Sequence, residues 1–191
     1  MDESIGSEDT TRSKQVVSPI ATGGGGPNYE RHVGAYYLAH LLLRAVPYGQ
    51  RAGQVSEVRF QRLFAGDLLD DLIVVSESVV GEMKLALQIK RDLVFGKDDS
   101  TFDEVLHACW ETFMSPQFKR GTDQFGVVIA LYSKKIDEHY QRTLEWALDS
   151  ANATDFFGRI AQQGLAHQSQ RTFVALIRSK LESYAGSVDC T

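Results

Sequence analysis

The chain has 191 residues, of which 43% are hydrophobic and 24% charged, and a formal net charge of -5, a balance suited to one globular domain of ordinary size with a real core. No run approaches the ~18 consecutive apolar residues of a membrane helix, and the N-terminus lacks an apolar secretory segment, so the sequence reads as a cytoplasmic protein with no membrane partner. The acidic balance argues against nucleic-acid binding through bulk charge, which usually needs a basic domain, and leaves only local basic pairs for such a role.

Residues 1–26 are polar and rich in Ser, Thr and Gly, with almost no periodic apolar signal, and read as a flexible leader. Its glycine run is not followed by a Gly-Lys-Ser/Thr motif, so a linker explains it better than a phosphate-binding loop. The domain proper is expected over residues 27–191. "NYERHVGAYYLAHLLLRAV" places Val33, Tyr37, Leu38, Leu41, Leu42 and Ala45 at helical spacing, with Asn28 as the expected N-cap.

A first strand is expected from about Val55 to Phe64, and a second over Leu72 to Val75 behind the turn in "GDLLDD". A third follows in "MKLALQIKR", joined to the second by a short hairpin link, "SESVVGE". "DDSTFDEVLHACWETFM" predicts a helix capped at Ser100, carrying Phe102, Val105, Leu106, Cys109 and Phe113 at helical spacing. "FGVVIALYS" is continuously apolar and of strand length, which suits a strand covered on both faces. From Ile136 to about Ala185 the pattern is helical, with breaks near Asn152 to Asp155 and near Gly164. The order αβββαβ followed by extra C-terminal helices predicts an α/β fold: a mixed β-sheet flanked by helices.

Chemistry concentrates at the end of the third strand. Side chains alternate along a strand, so Leu85, Leu87 and Ile89 face one way while Ala86, Gln88 and Lys90 face the other. Asp71 shares its face with Ile73 and Val75, with Asp70 one step behind it as the rival candidate. Pairing the two strands as a hairpin brings Asp71, Gln88 and Lys90 out at one end of the sheet. Glu30, one helical turn ahead of Gly34 and two ahead of Tyr37, lies on or beside the apolar face of the first helix. Carboxylates and an amide oxygen suit Mg2+, which takes hard oxygen ligands and keeps several waters, and a lysine beside it can offset charge building on a phosphate.

The ordered set Glu30, "LDDLIVV" and "LQIKR", together with "GGGGPNYERHVGAYYLAHLL", resembles the PD-(D/E)XK nuclease superfamily over about Gly25 to Tyr132. The variant it resembles has Gln in place of the second acid, as in Mrr-like restriction endonucleases and the N-terminal nuclease effector domains of anti-phage proteins, including antiviral STAND NTPases and cyclic-oligonucleotide defence nucleases. This resemblance implies a restriction-endonuclease-like core and a Mg2+-dependent endonuclease, with Mn2+ as an alternative ion, cutting double-stranded DNA in anti-phage defence. It implies Asp71 as the main metal-binding acid, Gln88 as a second ligand, the Ile89 carbonyl completing the shell, Glu30 assisting the metal or its water, and Lys90 as the catalytic lysine. Arg91, Lys119, Arg120 and Lys134 are the implied DNA contacts. Activation by homo-oligomerisation, through a C-terminal sensor or NTPase region beyond this chain, is implied as well.

Singly, these residues have simpler explanations. Aspartates favour turns before strands, a lysine at a strand end covers apolar surface with its stem, and a glutamate in a first helical turn suits the helix dipole. The competing function is a nuclease-fold module without catalysis, serving DNA binding or self-association; the uncharged Gln88 and the net charge favour it. His107 and Cys109, two apart on a helix, do not share a face and make a poor metal pair. Trp110 and Trp146 read as core or interface aromatics, and Cys109 and Cys190 show neither metal spacing nor a disulfide framework.

Overall fold

The computed structural model describes residues 25–49, 53–60, 69, 71–79 and 81–188. Residues 1–24 of the expected leader, Asp70, residues 61–64 of the expected first strand and Cys190 lie outside these described residues, while Gly25 and Gly26, expected in the leader, open the first helix. Helix α1 spans Gly25–Leu43. It starts earlier than the apolar pattern predicts, so Asn28 sits inside the first turn rather than capping it. Pro27 is compatible with that turn, whose backbone N–H groups have no intrahelical acceptor anyway. At the other end Arg44 adopts a left-handed φ of 48°, and the Ala45 N–H donates to the His40 carbonyl at 3.0 Å, closing the helix.

Three strands follow: β1 (Gln54–Phe60), β2 (Leu72–Ser78) and β3 (Gly81–Asp92). β1 and β2 pair antiparallel, and the β2–β3 hairpin runs in register from Leu72 opposite Leu87 to Ser78 opposite Gly81. Gly81 has φ of 108°, a conformation that a β-branched residue resists, at the point where the hairpin closes. Helix α2 (Ser100–Met114) then crosses to β4 (Gln124–Leu131), which lies parallel to β3. Asp99, not Ser100, caps α2: its carboxylate accepts from the Phe102 N–H at 2.7 Å, and Ser100 is already helical.

The result is a mixed α/β fold whose four-stranded sheet has the order β1-β2-β3-β4. Strand alternation sorts the core into two layers. Leu72, Val74, Leu85, Leu87 and Ile89 pack with Tyr37 of α1 on one face. Ile73, Val75 and Ala86 pack with Val105 and Cys109 of α2 on the other. β4 departs from expectation: it is an edge strand whose residues are half-buried or exposed, rather than a fully covered one. Its apolar run has a physical cause all the same, since Phe125 and Val127 pack on the α2 side and Val128 on the α1 side.

After β4 a π-helical segment, Ile136–Gln141, leads into α3 (Arg142–Asp149), followed by α4 (Ala153–Ala161) and α5 (Gln168–Val188). The breaks fall where the sequence places them. Asn152 caps α4 by accepting from the Asp155 N–H at 3.0 Å, and Gly164 takes φ of 80° in the loop before α5. Phe95, Phe102, Tyr140 and Phe173 form an aromatic joint between the loop after β3, α2, the π-helical segment and α5, with Tyr140 and Phe173 stacked at 4.1 Å.

Candidate functional site

β2 begins at Leu72, opposite Leu87, whereas β3 continues to Asp92 along β4. The end of β3 therefore overhangs β2, and backbone groups that would face another β2 residue need other partners. Asp71, the residue just before β2, supplies one. Its Oδ2 accepts from the Ile89 N–H at 2.6 Å and from Gln88 Nε2 at 2.7 Å. An ionised carboxylate only accepts hydrogen bonds, so it fixes the amide of Gln88 with nitrogen inward and Oε1 turned away as an available acceptor. Within a strand the N–H and C=O of one residue point to the same edge, so the Ile89 carbonyl also emerges beside Asp71.

Gln88 is buried and Lys90 half-buried. Alternation sets both on the face of Ala86, the side covered by α2, and sets Asp71 on the face of Ile73. The side chain of Lys90 makes no hydrogen bond or ion pair among the described residues, while its backbone is paired with β4. Lys90 thus follows Gln88 by two residues on the same face of β3, one step beyond the Asp71–Gln88 contact.

Glu30 reaches the same end of the sheet by a different route. Its neighbour Tyr29 lies close to Tyr132, just past β4; burial first, and Tyr132 second, hold the Tyr29 phenol above its usual pKa. Yet α1 covers the opposite face from Gln88 and Lys90, and the Glu30 side chain makes no hydrogen bond or ion pair among the described residues. No group of three His, Cys, Asp or Glu converges among the described residues. Among the described residues, a cation held here rests on one carboxylate and neutral oxygens, a donor set that fits Mg2+ only weakly.

The basic residues separate into two groups. Arg91 on β3 and Lys134 just beyond β4 belong to the Asp71 end; Lys134 pairs with Glu138 at 3.2 Å. Lys119 and Arg120 precede β4 at the opposite end, where Lys119 lies 3.9 Å from Glu82 and Arg120 sits 4.4 Å over the Phe113 ring. Glu82 and Lys90 are eight residues apart on β3, roughly 26 Å at about 3.3 Å per residue. A concavity of about 890 Å³ at that far end, lined by Leu41, Arg44, Val55, Ser56, Glu77 and Val79, includes none of the Asp71 group.

Sequence reasoning missed the backbone role of Asp71 toward Ile89, whose only signal was the length of β3 relative to β2. It also missed Tyr132, 61% exposed beside Tyr29. His107 is exposed and Cys109 buried, as their spacing requires, and Trp110 and Trp146 are half-buried. No helix among the described residues is long and apolar enough to cross a membrane. No protein-family model, curated protein or solved structure matches the chain.

Proposed function

We propose that this protein is a Mg2+-dependent endonuclease of the restriction-endonuclease-like class, cutting double-stranded DNA as an anti-phage effector that is switched on by self-association. The observation that carries the reading is the contact of Asp71 with Gln88 at 2.7 Å, with Lys90 two residues further along the same face of β3. Asp71, Gln88 Oε1 and the Ile89 carbonyl are the groups to hold the ion, with Mn2+ as its substitute, and Glu30 approaches from α1. The ion, when bound, polarises the scissile phosphate and makes a bound water more acidic.

The chain's own residues do the remaining work. Gln88 and the Ile89 N–H orient the Asp71 carboxylate through the two hydrogen bonds at its Oδ2. Lys90 offsets the negative charge that grows on the phosphate oxygens and orients the attacking water. Arg91 and Lys134, at the same end of the sheet, are placed for backbone phosphates. Lys119 and Arg120 serve only if the duplex also runs over the far end.

Purified protein with Mg2+ is expected to nick and linearise supercoiled plasmid, and Lys90→Ala to lower the rate by at least about 100-fold, of the order attributed to a lost charge-stabilising group. Its circular dichroism spectrum should be unchanged. Equal cutting by the variant removes Lys90 from the mechanism.

One observation favours a second reading, a non-catalytic module. Asp71 Oδ2 already accepts two protein hydrogen bonds, and Glu30 rides on the helix of the opposite face, so the arrangement needs no cation to be stable. Calorimetric titration separates the two readings. Mg2+ binding that Asp71→Ala abolishes supports the enzyme, and no heat at millimolar ion supports the module.

A further inference from the structure

The two edges of the sheet are built differently. β1 carries exposed Glu57 and half-buried Arg59, bridged by two hydrogen bonds of 2.7 Å, and its register with β2 slips between Val55 and Glu57. Charges and bulges are the devices that keep an edge strand from accepting another strand. β4, "QFGVVIAL", has none of them. It holds no charged residue and no proline, and it stays in register with β3 from Gln124 opposite Leu85 to Leu131 opposite Asp92. Every residue of β4 is at least partly exposed, and among the described residues only β3 lies alongside it. Its outer row of N–H and C=O groups is therefore presented unblunted along eight residues, roughly 26 Å of strand.

We propose that β4 is a self-association edge, pairing antiparallel with β4 of a second copy about a twofold axis. An antiparallel pair of identical strands is isologous: the same backbone groups donate and accept on both sides, so the edge is its own complement. Lack of charge matters most for this partner, because a charged strand meeting its own copy sets like charges against each other. Of the flanking charges, Lys119 lies 3.9 Å from Glu82 and Lys134 3.2 Å from Glu138, while Arg120 and Lys135 sit over the rings of Phe113 and Tyr140. Half-exposed apolar side chains on both faces of β4 gain partners from the incoming strand, and the product is a continuous eight-stranded sheet. One strand pair buries less than a standard interface, so the dimer is of modest affinity and depends on concentration. This inference stands whether or not the protein cuts DNA.

The test is sedimentation velocity on the full wild-type chain from low to several hundred micromolar, with amide exchange read by mass spectrometry at both extremes. A monomer–dimer equilibrium is expected, with exchange in residues 124–131 slowing in the concentrated sample while β1 is unchanged. Gln124→Lys combined with Leu131→Lys places lysines at both ends of the pairing and should raise the dimer dissociation constant about tenfold or more. Unchanged exchange in β2 and β3 then reports that the variant is folded; if it is not, the wild-type exchange pattern decides alone. A monomer at every concentration, a dimer protected somewhere other than β4, or a folded lysine variant that dimerises like wild type overturns the proposal.

Discussion

Asp71 earns its place through two acceptor contacts made by one oxygen, to Gln88 Nε2 and to the Ile89 N–H. The Gln88 contact was legible in the sequence because a strand has a period of two residues: once β2 and β3 pair as a hairpin, Asp71, Gln88 and Lys90 must share a face. The backbone contact was not, since it depends on where β2 stops, and Leu72 looks no different from any other strand residue. Glu30 was read onto the apolar flank of its helix, which is how Gly34 lies against Phe60, but helical periodicity cannot say which face of a sheet the helix will cover. Cys109 illustrates the opposite outcome, a reactive residue type silenced by packing. Burial pushes its thiol up to about 12, and the thiolate is the reactive form. Iodoacetamide at mildly alkaline pH should leave the Cys109 peptide unmodified in the native protein and alkylate it in denaturant, with Cys190 followed as a separate peptide by mass spectrometry. Rapid native labelling of Cys109 contradicts the packing described.

Among the elements, the order αβββαβ and the later helices followed from periodicity, and the two helix-breaking sites from Asn152 and Gly164. Besides the α2 cap, found at Asp99 rather than Ser100, two misreadings have local causes. Glycines carry no pattern, so the start of α1 at Gly25 was invisible. The apolar run of β4 suggested a strand covered on both faces, but only Phe125, Val127 and Val128 pack on the two core layers and every residue of the strand keeps some exposure, a difference that an apolar run does not encode. The link between α2 and α5 was beyond sequence reasoning, since Asp103 lies 77 residues from Lys180 and 81 from Tyr184. Lys180 Nζ and Tyr184 Oη each lie 2.7 Å from the same oxygen of Asp103. The Lys180 hydrogen bond first, and Tyr184 second, hold the Asp103 carboxyl below its usual pKa. Such a group stabilises the fold above its unfolded pKa, about 4, and the contribution fades as pH falls through the lower folded value. Lys180→Ala is therefore expected to be less stable than wild type at neutral pH in urea denaturation, with the gap narrowing below about pH 4. A gap that is the same at pH 7 and pH 3 means that the ion pair does not carry the difference.

At the scale of the molecule, a sheet clothed by α1 and α2 brings Asp71, Gln88 and Lys90 to one strand end, and the aromatic joint around Phe95, Tyr140 and Phe173 ties the π-helical segment and α5 to the loop after β3. Phe173 is 3% exposed, and a buried aromatic of this kind contributes on the order of 3–5 kcal/mol against truncation, so α5 is packed onto the body of the fold rather than hanging from it as an appendage. Whole-molecule charge is unfavourable for duplex binding at -5, so the proposed nucleic-acid contact rests on local basic residues, Arg91 and Lys134 beside Lys90. The central claim is that Asp71 organises this end for phosphodiester hydrolysis. It is tested most directly by incubating supercoiled plasmid with wild-type protein and with Asp71→Ala, each with Mg2+ and with chelator. Cutting by wild type only in the presence of the ion, and none by a folded Asp71→Ala variant, is the predicted result; ion-independent cutting, or equal cutting by the two proteins, contradicts it.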